Sequence, residues 1–124
     1  MPDMSTILLV ADTPWVRNDV SASLIEPEDR LEVVTDPRLA VQAAARRTSA
    51  AYVVDMQVGS MGGMAITRSL KEAMYAGSIP DRPVILLLDR SADAFLAKRA
   101  GADHWIVKPF TAQELRAALA STAT

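Results

Sequence analysis

The sequence predicts an α/β fold, a parallel sheet with helices on both faces, built as one domain over residues 1–124. Five short apolar runs recur along it: ILLV at 7–10, LEVV at 31–34, AYVV at 51–54, VILLL at 84–88 and WIV at 105–107. Each has the length of a strand, and near-continuous apolar runs suit strands buried on both faces. Segments with apolar residues at helical spacing lie between the runs, so the order is strand then helix, five times. That alternation argues for parallel strands joined by right-handed crossovers. The 124 residues, half of them hydrophobic, are enough for the core of one domain.

The elements follow in order. After the first strand, Val16, Val20 and Leu24 stand at i, i+4 and i+8, behind a proline at position 14. Asp36-Pro37 is a good helix start, and Leu39 and Ala43 share the inward face of the helix it opens. Ile66, Leu70 and Ala73 mark a third helix ending near Gly77. The stretch Ala92 to Ala100 is a short fourth helix, stopped by Gly101. Thr111 can cap a fifth, with Glu114 as its capping-box partner and Leu115 and Leu119 facing inward. No linker, repeat or low-complexity tract divides the chain.

Composition removes several function classes. The formal net charge is −2, from 13 Lys and Arg against 15 Asp and Glu, and no basic run exceeds two residues, as at Arg46-Arg47 and Lys98-Arg99. A chain that bound nucleic acid directly would carry a basic stripe, and none is present. With no cysteine there is no disulfide framework and no thiolate metal site. No apolar stretch reaches the roughly 18 residues of a membrane span, and MPDMSTI lacks the pattern of a signal peptide. These observations together predict a cytoplasmic protein.

In a sheet of this kind, ligands bind at the carboxyl ends of the strands. Ala11-Asp12 follows the first run, Asp55 the third, Asp89 the fourth and Lys108-Pro109 the fifth. Two carboxylates with a backbone carbonyl suit a hard cation such as Mg²⁺. A lysine beside them can bind phosphate as a point charge. A carboxylate in that setting can act as a nucleophile toward a phosphoryl group, with metal and lysine offsetting charge on the transferring oxygens. The plain alternative is that Asp12 caps a helix, Asp55 ends a strand and Lys108 pairs with either.

At the residues ILLVADTPWVR, VVDMQVGSMGGM, PVILLL and GADHWIVKPF, the chain resembles the receiver domain of two-component response regulators over nearly its whole length. Gly-Ala-Asp, an aromatic residue, then Lys-Pro-Phe is the most specific of the four segments. The resemblance implies a flavodoxin-like fold, doubly wound, with strand order 2-1-3-4-5. It also implies a function: a histidine kinase or phosphotransfer protein passes a phosphoryl group to an aspartate with Mg²⁺ beside it. The new charge shifts the face made by the fourth helix, fifth strand and fifth helix. By position, Asp55 matches the phosphoacceptor and Asp12 a direct metal ligand. Gln57 matches the residue that offers a backbone carbonyl to the metal. Lys108 matches the phosphoryl-contacting lysine, and Pro109 follows what the family has as a cis peptide bond.

The match breaks at three pocket positions. The family's acidic pair is Ala11-Asp12 here, so one carboxylate is missing and Mg²⁺ affinity should fall. Leu88 stands where the family has Ser or Thr, and it has no hydroxyl to bond a phosphoryl oxygen. Asp89 stands where a small residue is usual. There it repels an incoming dianion or pairs with Lys108, but the sequence favours a solvated loop residue before Arg90-Ser91. The stretch from Leu88 to Lys108 is also short for the family, which predicts a short or displaced fourth helix. In the loop after Asp55, Val58-Gly59 and Gly62 replace stiffer residues, which predicts mobility where the third helix starts.

Other residues have simpler readings. Trp105 occupies the position of the family's aromatic switch and reads as a half-buried residue on a partner-facing surface. Trp15 either lines the site mouth or is a first-turn apolar residue. His104 reads as an exposed residue, and the methionines near the third helix as core filling. The whole predicts an atypical receiver-type signalling module and not an enzyme. Phosphorylation of Asp55 is weak and output runs through protein contacts. A module that signals without phosphorylation is the alternative. An aspartate-dependent phosphatase is more remote, because position 57 is Gln where that chemistry wants a second acid. A flavin carrier would want a phosphate loop richer in Ser and Thr than ADTPWV.

Overall fold

The computed structural model describes residues 6–24, 30–58 and 61–121, with side-chain placement for all of these except Met61. In chain order the strands are β1 (Thr6–Val10), β2 (Arg30–Val34), β3 (Ala51–Asp55), β4 (Gln57–Val58), β5 (Met61–Gly62), β6 (Val84–Leu88) and β7 (His104–Val107). The helices are α1 (Pro14–Ser23), α2 (Ala40–Arg46), α3 (Gly63–Tyr75), α4 (Ala94–Ala100) and α5 (Ala112–Ser121). The five long strands form one parallel sheet in the order β2-β1-β3-β6-β7. With the two-residue hairpin β4-β5 counted apart, this is the predicted 2-1-3-4-5 order.

The sheet is buried on both sides because its central strands carry apolar residues at nearly every position, Thr6 and Asp55 being the exceptions. Leu8, Val10, Tyr52, Val54, Val84, Leu86 and Leu88 face one layer, where Ala40, Ala43 and Ala44 of α2, Ile66 and Leu70 of α3 and Ala97 of α4 close over them. Ile7, Leu9, Val53, Ile85 and Leu87 face the other, against Val16 and Val20 of α1 and Leu115 and Ala118 of α5. This period-2 division between two layers is what a doubly covered sheet requires.

Several helix ends follow the chemistry read from the sequence. The Thr111 backbone N–H donates to Glu114 Oε1 at 2.8 Å and the Glu114 N–H donates to Thr111 Oγ1 at 3.1 Å, a complete capping box. α4 has seven residues and ends at Gly101, whose φ of 98° is left-handed. Pro109 follows a cis peptide bond, as the resemblance implied.

Three readings need correction. Leu39 does not face the core. A 3-10 turn over Pro37–Leu39 precedes α2 and turns Leu39 outward, and Ala40, Ala43 and Ala44 form the buried face instead. α4 begins at Ala94, because a 3-10 turn occupies Ser91–Asp93. His104, read as exposed, is half-buried at the start of β7. Gly59 lies outside the described residues, as does part of the loop read as mobile.

Candidate functional site

The carboxyl edge of the sheet brings together residues from three of its strands. Asp55 is the last residue of β3, flanked by β1 and β6, and its side chain is only 1% exposed. Lys108 follows β7, and its own side chain is 7% exposed. Its ammonium donates to Asp55 Oδ1 in a short hydrogen bond. Asp89 follows β6 and places its Oδ1 2.8 Å from the same ammonium. Lys108 therefore bridges two carboxylates, one buried and one 43% exposed.

The backbone holds these groups at one place. The Lys108 N–H donates to the Leu88 carbonyl at 2.8 Å, which joins the segment after β7 to the end of β6. The Met56 N–H donates to the Leu87 carbonyl at 2.9 Å and fixes the chain just past Asp55. The Gly63 N–H donates to the Met56 carbonyl at 2.8 Å and seats the start of α3 against the same strand end. A Cβ on Gly63 would lie 2.5 Å from the Asp55 carbonyl oxygen, so the close approach of α3 requires glycine. The sequence shows Gly63 in its family position but gives no sign of this contact.

Electrostatics follow from burial. Burial pushes the Asp55 carboxyl up from its ordinary value, and the Lys108 ammonium offsets only part of that push. For Lys108, burial works against the charge, but its hydrogen bonds to Asp55 and Asp89 outweigh it and hold its pKa above the ordinary value. The Trp15 ring lies 5.8 Å from the Lys108 ammonium, within reach of a cation–π attraction. At 47% exposure Trp15 belongs to the rim of the site and not to the core, which decides between its two readings.

The other predicted site residues are placed as follows. Asp12 is exposed between β1 and α1. Thr13, not Asp12, holds the N-cap position, so the reading of Asp12 as a helix cap fails. Ala11 is buried next to it and supplies no donor side chain. Gln57 is exposed on β4, two residues past Asp55. Leu88 is fully buried in the layer beneath α2, α3 and α4, and Trp105 is a half-buried residue packed against that layer. The reading of Asp89 as a solvated loop residue is overturned. It pairs with Lys108, while the adjacent cation, Arg90, is held by Asp93 at 3.1 Å.

The oxygen donors at this edge are of the class Mg²⁺ prefers. Asp12 and Asp55 are the carboxylates, and Gln57 the residue with the backbone carbonyl, that the resemblance assigns to the ion. Among the described residues, no three His, Cys, Asp or Glu side chains gather as a metal cluster. The donor chemistry fits the ion, with one carboxylate fewer because position 11 is alanine.

Comparison with known proteins bears on this arrangement. The family model for the response regulator receiver domain matches residues 7–120. A probable transcriptional regulatory protein, TcrX of Mycobacterium tuberculosis, is 30% identical over 89% of the chain and 46% of its own length. The response regulator protein PmrA of Pseudomonas aeruginosa is 32% identical over 90% of the chain and 49% of its own length. The chain thus spans about half the length of these curated relatives. Among solved structures, the receiver domain of the sensor histidine kinase PA1611 of Pseudomonas aeruginosa is 27% identical, with a TM-score of 0.80. The overlap covers 97% of this chain and 98% of that one, in which a magnesium ion is coordinated in the active site cleft. The chemotaxis response regulator CheY4 of Vibrio cholerae shares the fold at a TM-score of 0.80 and 23% identity, covering 96% of this chain and 98% of that one.

Proposed function

The chain belongs to the response regulator receiver domain family, and from that premise we propose that it is an atypical receiver module whose phosphoryl site is kept but weakened. The observation that carries this is the pairing of Lys108 with a buried Asp55 at the end of β3. A carboxylate oxygen of Asp55 attacks the phosphorus of a phosphohistidine on a histidine kinase or phosphotransfer protein. A P–O bond forms, and the P–N bond breaks with its electron pair left on the imidazole. Lys108 is placed to hold the oxygens of the transferred group. Asp12, Asp55 and the Gln57 carbonyl would hold Mg²⁺, which when bound offsets charge on those oxygens.

Two substitutions weaken and isolate the site. Ala11 removes a carboxylate, which lowers affinity for a divalent ion. Leu88 offers no hydroxyl to a phosphoryl oxygen, so the new charge has no direct hold on the layer that contains Trp105. Output then rests on protein contacts made by the face of α4, β7 and α5. The module works as a signalling part and not as an enzyme, without direct contact to nucleic acid. Among the described residues no helix is long and apolar enough to cross a membrane, and a cytoplasmic site of action suits the module. A second reading, signalling without phosphorylation, is favoured by Ala11 and by the engagement of Lys108 with two carboxylates.

The test is intact mass after incubation with a small-molecule phosphodonor, with and without Mg²⁺, in the wild type and in Asp55→Asn. A partial, Mg²⁺-dependent adduct that is absent from Asp55→Asn is expected. No adduct at any Mg²⁺ concentration would select the second reading.

A further inference from the structure

We propose that Asp89 is a built-in competitor for Lys108: its carboxylate takes the place that an oxygen of an anion entering the site would need. This deepens, and rests on, the reading of the edge as a phosphoryl-accepting site. An ammonium has three N–H donors. One is committed to Asp55, whose side chain is only 1% exposed while this pairing holds. Another faces Asp89 at 2.8 Å, and Asp89 is the more open partner. The Trp15 ring lies 5.8 Å from the ammonium and adds a further wall on the rim. The third N–H is left over, but Lys108 is only 7% exposed, so Asp89 holds the most open approach to its charge and an entering anion competes with it there.

Charge makes the competition unequal. Lys108 carries one positive charge against the two carboxylates it touches, so the local sum is already negative. An entering dianion meets like charge unless Asp89 swings away, and the half-buried setting screens that repulsion less than open water would. Arg90 is engaged elsewhere and does not pull Asp89 from Lys108, since Asp93 holds it through both Nε and a terminal nitrogen, at 3.3 and 3.1 Å. Asp89 thus acts as a positioning residue that fixes Lys108 and sets the threshold for anion entry.

The experiment compares the wild type, Asp89→Asn and Asp89→Ala. Inorganic phosphate is titrated into each, and the amide resonances of Lys108 and Met56 are followed. Both variants are expected to bind phosphate about fivefold more tightly than the wild type. Asparagine, which keeps the size and removes the charge, should act like alanine. Equal response in all three proteins, including none in any, overturns the proposal, and so does a gain confined to alanine. Intact mass with a small phosphodonor is read on the same three proteins. Tighter phosphate binding with no adduct on Asp55 leaves the Asp89 assignment standing and sinks the phosphorylation reading alone.

Discussion

Lys108 is the residue on which the site depends, because it is the cation that answers a carboxylate buried at the end of β3. A buried ion pair contributes little when intact, since desolvation cancels much of the attraction, but removing one partner leaves an uncompensated charge. Lys108→Met is therefore expected to lower the unfolding free energy by about 3 kcal/mol near neutral pH. The sign of its pH dependence follows from Asp55. Burial raises the Asp55 pKa in the folded protein, so the folded state holds that proton more tightly than the unfolded chain does. The corresponding contribution to stability is full below the unfolded pKa and is lost as pH rises through the folded one. Lys108→Met removes the ammonium that offsets part of the rise, so the variant loses more over the same interval. Urea unfolding at about pH 4 and about pH 7 should show the gap between wild type and variant widening toward neutral pH. A gap that narrows would mean that Asp55 is not the group left exposed to the loss.

At the scale of elements, the site is a junction that several backbone contacts keep closed. The ends of β3, β6 and β7 are tied through the Met56, Leu87, Leu88 and Lys108 backbone groups, and α3 is seated on them at Gly63. Gly63→Ala would force a methyl group to within 2.5 Å of the Asp55 carbonyl oxygen, and this neighbour is backbone that cannot turn aside. The expected cost is about 2 kcal/mol in urea unfolding, with the Asp55 and Met56 amide resonances displaced. An unchanged midpoint would mean that α3 can slide away without loss. The capping box at Thr111 and Glu114 shows the contrasting case. It is a purely local hydrogen-bond motif, so the sequence alone identifies it. The contact at Gly63 joins residues that only the folded sheet brings together.

For the whole molecule, the parts legible in the sequence are those set by local pattern. The apolar runs marked all five long strands, because a sheet covered on both faces leaves no alternation to hide them. The strand ends placed Asp12, Asp55, Asp89 and Lys108 at one edge because parallel connections return every strand with its carboxyl end on the same side, whereas Gln57 entered only through the resemblance. Side-chain direction was not legible. Asp89 after β6 reads the same whether it points to water or to Lys108, and only the closeness of β6 and β7 decides it. Leu39 was misjudged because a 3-10 turn and the first turn of an α-helix share the same Asp-Pro opening. The proposed consequence at this scale is weak coupling between chemistry and output face: Leu88, buried beneath α2, α3 and α4, carries hydrocarbon where the family has a hydroxyl. The most direct measurement is the amide and indole spectrum of the protein treated with a small phosphodonor over a series of Mg²⁺ concentrations. New signals for Asp55, Met56 and Lys108 should grow as a minor population with rising Mg²⁺ while the Trp105 indole stays in place. The account would be contradicted by no new signals at any Mg²⁺ concentration, or by a Trp105 signal that moves together with Asp55.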